Sequence, residues 1–329
     1  MREAKQLAVI GAAILCFFLF GRAEPGPTLQ ERAAGGAETG ESIPAPDAAP
    51  WTTHVIRAPA AASPDWEETF FTPTKADDAV ELTISGAVLL KNETSYPVDP
   101  WQIVEDGTPV RLAAGQPQIL IIHTHSSEAY TPAGLDRYEP SDSARTEDSE
   151  HNIIRVGDEL TRVFELAGLN VIHDRNVYDY PSYTGSYARS GAAVEQALRD
   201  WPSISVVLDV HRDALGEGDV IYKTVAEEEG TCASQVMLLA GTDESGLEHP
   251  NWRSNLSLAL YLQNVLAAEH PTLMRPVALV PQRYNQQLCP GMLILEVGSS
   301  GNTMQEALAA ARLFASSAAP ALLRLVEER

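Results

Sequence analysis

Val206-Val207-Leu208-Asp209-Val210-His211-Arg212-Asp213 runs as an aliphatic, β-branched segment straight into an imidazole flanked by charge. Apolar runs of about five residues recur on either side of it from Gln118 onward. They alternate with longer stretches whose apolar residues return every third or fourth position. That alternation argues for an α/β fold, a mainly parallel sheet flanked by helices. The strands expected are Ile119–Ile122, Asn170–His173, Ser205–Val210, Gln235–Leu239 and Met292–Val297. Helices are expected over Asn152–Ala167, Ser186–Asp200, Asn255–His270 and Thr303–Glu328.

In an open α/β sheet, ligand sites gather beyond the carboxyl ends of strands. Three of these strands stop on unusual residues: Ile119–Ile122 runs into His123-Thr124-His125, the quoted strand into His211-Arg212-Asp213, and Leu293–Leu295 into Glu296-Val297-Gly298. Parallel packing brings all three ends to one edge. A carboxylate such as Glu296 within an apolar strand is costly to bury unless it is paired, hydrogen-bonded or near a metal. Histidines on neighbouring strand ends can offer nitrogens to zinc, whose catalytic sites take three protein ligands and a water. A single His after a strand is more often hydrogen-bonded structure than a ligand; the coincidence of three such ends is what points to a metal. His54, His151, His173, His249 and His270 lack that convergence and stay outside the proposed site.

The chain has 329 residues and a formal net charge of -22, which repels a phosphate backbone and argues against nucleic acid as a partner. Residues 1–23 open with Arg2 and Lys5 ahead of an uncharged apolar run, Leu7 to Phe20. At about 14 residues it is short of the roughly 20 that span a bilayer, so it reads as an export signal. The cleavage candidate Gly21-Arg22-Ala23 is poor, which leaves two expectations open: a retained anchor on the extracytoplasmic side of the cell membrane, or a cleaved signal. Residues 24–66, rich in Ala, Pro, Gly, Glu and Thr, read as a disordered tether. Residues 67–116 read as a small β-rich appendage, with a strand at Val80–Ile84 and turns at Asn92-Glu93 and Asp106-Gly107. Residues 117–329 form the main domain. Cys232 and Cys289 are either a single bridge or two buried thiols.

Several stretches resemble the stage II sporulation protein P family: HTHSSEAY at 123–130, NIIRVGDEL at 152–160, VVLDVHRDA at 206–214, HPNW at 249–252, RYNQQLCPG at 283–291 and ILEVGSSGNT at 294–303. The family is similar to the zinc-dependent N-acetylmuramoyl-L-alanine amidases. The resemblance therefore implies a zinc amidase-like domain at 117–329 and a peptidoglycan hydrolase at work in sporulation and engulfment, with Zn2+ as cofactor. It further implies a second activity as an endopeptidase, and stage II sporulation proteins D and M as partners.

Laid on the amidase pattern, His211 matches the middle-strand ligand and Glu296 the catalytic glutamate, with Asn302 as its partner. The first-strand ligand is His125 or, alternatively, His123. Asp148, four residues before Asn152, takes the acidic ligand's place, with Glu150 as the alternative. Zinc held by His125, Asp148 and His211 would acidify a water, and Glu296 would take its proton. Asp209 is a candidate partner for an imidazole, Arg212 for an oxyanion or Asp213, and Tyr284, Asn285 and Gln286 for substrate. Glu128 belongs to the first motif without a derivable role. Two rival expectations stand beside the amidase: a zinc peptidoglycan endopeptidase or carboxypeptidase, and a non-catalytic wall-binding scaffold of the same fold.

Overall fold

The computed structural model describes residues 81–85, 88–131, 144–217, 220–228 and 230–327. The expected export segment and tether lie outside them. No helix among the described residues is long and apolar enough to cross a membrane.

Eight strands build one sheet: β1 (Glu81–Ser85), β2 (Val88–Asn92), β3 (Ile119–Ile122), β4 (Val171–His173), β5 (Val206–Asp213), β6 (Val236–Gly241), β7 (Val277–Val280) and β8 (Met292–Ser299). Their order across the sheet is β1-β2-β7-β6-β8-β5-β3-β4. Every pairing is parallel except β1 with β2 and β6 with β8. The mainly parallel sheet is thus present, but Gln235–Leu239 runs against the strands on its β8 side. An apolar run specifies burial and not direction, so its sequence carries no sign of the reversal.

Residues 67–80 and 86–87 of the expected β-rich appendage lie outside the described residues, and its described part is not separate. β2 hydrogen-bonds to β7 in parallel register, Val277 opposite Leu90, and so belongs to the main sheet. Between β2 and β3 the chain forms a short helix, α1 (Pro100–Asp106), started by Asp99, whose carboxylate accepts from Trp101 N and Gln102 N, and stopped by Gly107. A helix this short carries too little periodicity to be read from sequence.

Four longer helices clothe the sheet: α2 (Ile153–Leu166), α3 (Ser186–Asp200), α4 (Trp252–Glu269) and α5 (Met304–Leu323). Strand alternation divides the apolar residues between two faces. Ile119, Ile121, Val206, Leu208, Val210, Leu293, Leu295 and Val297 point into the larger core, shared with Phe164 of α2, Leu256 and Leu260 of α4 and Phe314 of α5. Leu120, Ile122, Val207 and Met292 point the other way, into a smaller core with Val194 of α3. One face is therefore thickly covered and the other thinly.

The helix ends follow local chemistry. Asn152 caps α2 by accepting from Ile154 N, and Thr303 opens α5 with a reciprocal capping box to Glu306. α5 stops at Leu323, short of the Glu328 expected, and the chain goes on to pair Val326 with Leu112. α4 begins at Trp252, three residues before the Asn255 expected.

α2 and α5 are joined by Glu159, a nearly buried carboxylate that receives Arg162 Nη2 at 2.5 Å and Arg312 Nε at 2.7 Å, with Arg155 at 3.5 Å. Burial alone would raise its pKa, but the hydrogen bonds from Arg162 and Arg312 and their charges bring it below the usual value. A carboxylate with a depressed folded-state pKa adds stability that is present above the unfolded value, about 4.3, and lost as pH falls through the folded one. Glu159→Ala is expected to cost about 1–2 kcal/mol at neutral pH. In thermal melts, the gap between wild type and variant should close as the medium is acidified below about pH 4; a gap independent of pH would contradict the ion-pair account.

Candidate active site

Because β3, β5 and β8 are adjacent and mutually parallel, their carboxyl ends share one edge, as expected. Glu296 of β8 and His211 of β5 are register partners. Residues paired this way point to the same face, so Glu296 shares a face with Asp209 and His211, on the α3 side of the sheet. The register between β8 and β5 shifts between Glu296 and Ser299, which ends the regular pairing just past the carboxylate.

His211 sits between two acids. Its Nδ1 lies 3.5 Å from Glu128 Oε2, and its Nε2 lies 3.0 Å from Asp209 Oδ1. That second contact lacks hydrogen-bond alignment, which leaves Nε2 buried without a partner. Asp209 also accepts from Thr124 N at 2.8 Å and Thr124 Oγ1 at 2.6 Å, and so ties the end of β3 to β5. Burial works against a charged His211, but Asp209 and then Glu128 hold its pKa well above the usual range. Glu128 reaches this cluster by a tight turn, its N–H donating to His125 O at 3.1 Å. Its Oε2 accepts from Arg212 N at 3.0 Å. Burial would raise it, yet the hydrogen bond and charge of His211, with Arg212 and His125, hold it far below the usual carboxylate range.

His125 packs edge-on to His211, ring centroids 5.2 Å apart. Burial, opposed by the Glu128 charge, lowers its pKa to about 4, so the ring is neutral. Tyr183 stacks on it at 4.5 Å and its hydroxyl lies 3.0 Å from His125 Nε2; Tyr187 meets it edge-on at 5.5 Å. Tyr284 continues the wall, 5.5 Å from Tyr187. Glu296 is the opposite of Glu128: burial, then the nearby Asp213 charge, pushes its pKa up to about 8, and Oε2 is buried with no hydrogen-bond partner.

Other expected residues stand elsewhere. Asp148 is exposed and paired with exposed His151 at 2.9 Å, and Glu150 is exposed too. Neither joins the histidine cluster; Glu128 is the acid that does. His123, one residue out of phase with the site-facing positions, turns to the opposite face. There its Nδ1 donates to Val210 O at 3.0 Å and its Nε2 meets His173 Nε2 at 2.9 Å. The Arg212 guanidinium donates to Ala129 O at 3.0 Å and Ala144 O at 2.7 Å, and Asp213 pairs instead with Arg275 at 2.7 Å. Asn302 stitches Ser299 N to Thr224 N and O. Gln286 is fully buried, bonded to Leu239 O and Gly241 N, and does not face substrate. Cys232 is exposed and Cys289 buried, both free.

The stage II sporulation protein P (SpoIIP) family profile matches residues 68–319 of this sequence. The chain belongs to the stage II sporulation protein P family. It is 26% identical over 209 residues to stage II sporulation protein P of Bacillus subtilis (strain 168), a match covering 60% of this chain and 49% of that protein; the chain spans about half the length of the curated relative. Among solved structures it is similar to the N-acetylmuramoyl-L-alanine amidase AmiC2 of Nostoc punctiforme (14% identity, TM-score 0.39, 64% of this chain and 98% of that one). It is also similar to the amidase Ami1 of Mycobacterium smegmatis (12%, TM-score 0.36, 65% and 99%).

Do the SpoIIP residues present suit zinc? Among the described residues no group of three or more His, Cys, Asp or Glu side chains is arranged to hold a metal ion, and His125 Nε2 is engaged by Tyr183. The donor chemistry nevertheless fits. The 3.5 Å between His211 Nδ1 and Glu128 Oε2 is close to the roughly 3.4 Å separating two ligands held at about 2.0–2.1 Å on a tetrahedral ion. Asp209 stands at the far ring nitrogen, where a ligating His ordinarily meets a carboxylate.

Sequence reading missed Glu128 as a member of this cluster, and Tyr183 and Tyr187 altogether. A signal existed for the first: His125 and Glu128 are three residues apart in a turn, a spacing that brings both side chains to one side. The tyrosines lie in the approach to α3 and its first turn, with no motif to mark them.

Behind the site, Gly157 of α2 makes room for the buried histidine pair: an added Cβ would lie 2.5 Å from Nε2 of both His123 and His173. Gly157→Ala is expected to destabilise the fold by about 1–3 kcal/mol in denaturant titration, since the ring atoms must shift against the sheet. Wild-type stability in that variant would mean the helix can retreat freely.

Proposed function

We propose that the chain is a peptidoglycan hydrolase of sporulation, an N-acetylmuramoyl-L-alanine amidase that cuts between glycan and stem peptide. The observation that carries this reading is the in-register pair Glu296 and His211, with Glu128 3.5 Å from the Nδ1 of the imidazole. A carboxyl and a ligand-type cluster side by side at one sheet edge suit hydrolysis by an activated water, without a serine or cysteine nucleophile. Membership of the SpoIIP family supports the setting in sporulation. The short apolar run from Leu7 to Phe20 supports export, with the chain held at the outer face of the cell membrane.

His125, Glu128 and His211 would hold a zinc ion, Glu128 replacing Asp148 as the acidic ligand. Bound there, zinc supplies an acidified water and a polarised carbonyl. In its ionised form, gained as pH rises through about 8, Glu296 accepts the proton that water loses and delivers it to the departing amine, so one carboxyl serves as base and then acid. Asp209 stands 3.0 Å from the Nε2 of the His211 ring. The tyrosine wall shields the cluster from bulk water and gives the substrate an aromatic surface to lie on.

Full-length protein incubated with purified peptidoglycan should release stem peptides and leave free lactyl groups on muramic acid, as read by mass spectrometry. His211→Ala and Glu296→Gln should each cut release at least about 100-fold. Metal analysis should find near-stoichiometric zinc in wild type and in Glu296→Gln, and less in Glu128→Gln. Full activity of both variants would dismiss the mechanism. Products cleaved only within the peptide would reassign the bond.

A further inference from the structure

Resting on the amidase reading above, we infer that the Tyr284 hydroxyl is a catalytic hydrogen-bond donor to the carbonyl oxygen of the scissile amide, aimed by a strained turn whose anchor is Asn285. Tyr284 and Asn285, with φ of 46° and 62°, are the non-glycine residues at positive φ among the described residues. A bulky side chain in the left-handed region crowds its own backbone, and such a conformation persists only where its surroundings dictate it.

The surroundings here do so from two sides. Asn285 Nδ2 donates to Tyr187 O at 2.7 Å, within the first turn of α3, and lies 3.4 Å from Ser190 Oγ. Gly191 leaves the space for it, since an added Cβ would stand 3.0 Å from the same amide nitrogen. On the other side, buried Gln286 bridges Leu239 O and Gly241 N of β6. The turn is thus pinned on both flanks by directed hydrogen bonds.

What it serves is the position of the Tyr284 ring. The ring is held against Tyr187, which in turn packs on His125. Its hydroxyl makes no hydrogen bond to a described residue, unlike that of Tyr183, which is taken up by His125. Burial and then the nearby Glu296 carboxylate push the phenol up to about 12, so it remains a donor wherever Glu296 can work.

The step balances as follows. Water adds to the amide carbon, and the carbonyl π electrons move onto oxygen, where the Tyr284 O–H stabilises the developing charge without giving up its proton. Glu296 takes the proton from water. When the carbonyl reforms, the C–N bond breaks and that proton passes to the leaving amine. Donors placed at such an oxygen contribute mainly to kcat.

The test uses full-length protein, purified peptidoglycan as substrate and released amines as readout. Tyr284→Phe keeps the ring and removes only the hydroxyl: kcat should fall about 100- to 1,000-fold, with KM changed less than about twofold and Tm unchanged. Asn285→Gly keeps the left-handed backbone but releases the anchor; kcat should fall about 10-fold, again with little change in KM. Wild-type kcat in Tyr284→Phe would overturn the assignment while the amidase reading stands. So would a loss carried by KM, or one matched by a fall in Tm. An inactive wild-type protein would overturn the amidase reading, and this assignment with it.

Discussion

The parallel pairing of β8 on β5 is the constraint from which the site follows. It sets Glu296 beside His211 at the same height on the same face. A one-residue slip would exchange every side chain of β8 between faces. Leu295 and Val297 would then leave the larger core, and Glu296 would enter it among Leu208, Val210 and Phe314. The apolar packing on one side of the sheet therefore enforces the polar geometry on the other. In β5 the same alternation sends Val206, Leu208 and Val210 to the core and Val207, Asp209 and His211 to the site. What reads along the chain as charge interrupting a hydrophobic strand is, in phase, a polar face.

Two glutamates in this small volume are driven in opposite directions, and the cause is local. Glu128 is met by the Arg212 N–H and the His211 ring, so its charged form is favoured despite burial. Glu296 has a buried oxygen with no donor and faces Asp213, so its neutral form is favoured. Two carboxyls in one site are thereby set in different protonation states, one ionised and one neutral. His211 and His125 divide in the same way: flanking carboxylates favour a proton on the first, and burial keeps the second neutral.

Much of this was legible in the sequence because burial periodicity is a local property. The runs at 119–122, 206–210 and 292–297 became neighbouring strands, and His125, His211, Asp209 and Glu296 came together at their ends. What escaped depends on chain direction, register or spatial return. The reversal of β6 leaves no mark on an apolar run. Membership of β2 in the sheet depends on a partner, β7, nearly two hundred residues away. Asp148 is marked only by its distance from Asn152 along the chain, whereas Glu128 is brought in by a turn. Arg212 follows His211 directly, and adjacency in a strand means opposite faces, which sends its guanidinium to the carbonyls of Ala129 and Ala144.

The two faces of the sheet are covered unequally. α2, α4 and α5 cover one face with a large apolar core. The other face carries α3 and a few loops over β3, β5 and β8. Beyond them Met237, the register partner of Glu296 on β6, is only half-buried, and Lys91 on β2 is exposed. A thin cover cannot position side chains by packing alone. The segments that form it are held instead by directed hydrogen bonds: Asn285 to Tyr187, Gln286 to β6, Arg189 to the carbonyl of Tyr178. Left-handed backbone at 284 and 285 belongs to the same economy of structure, since a loop fixed by a few strong bonds can be forced into a conformation that a freely packed one would relax out of.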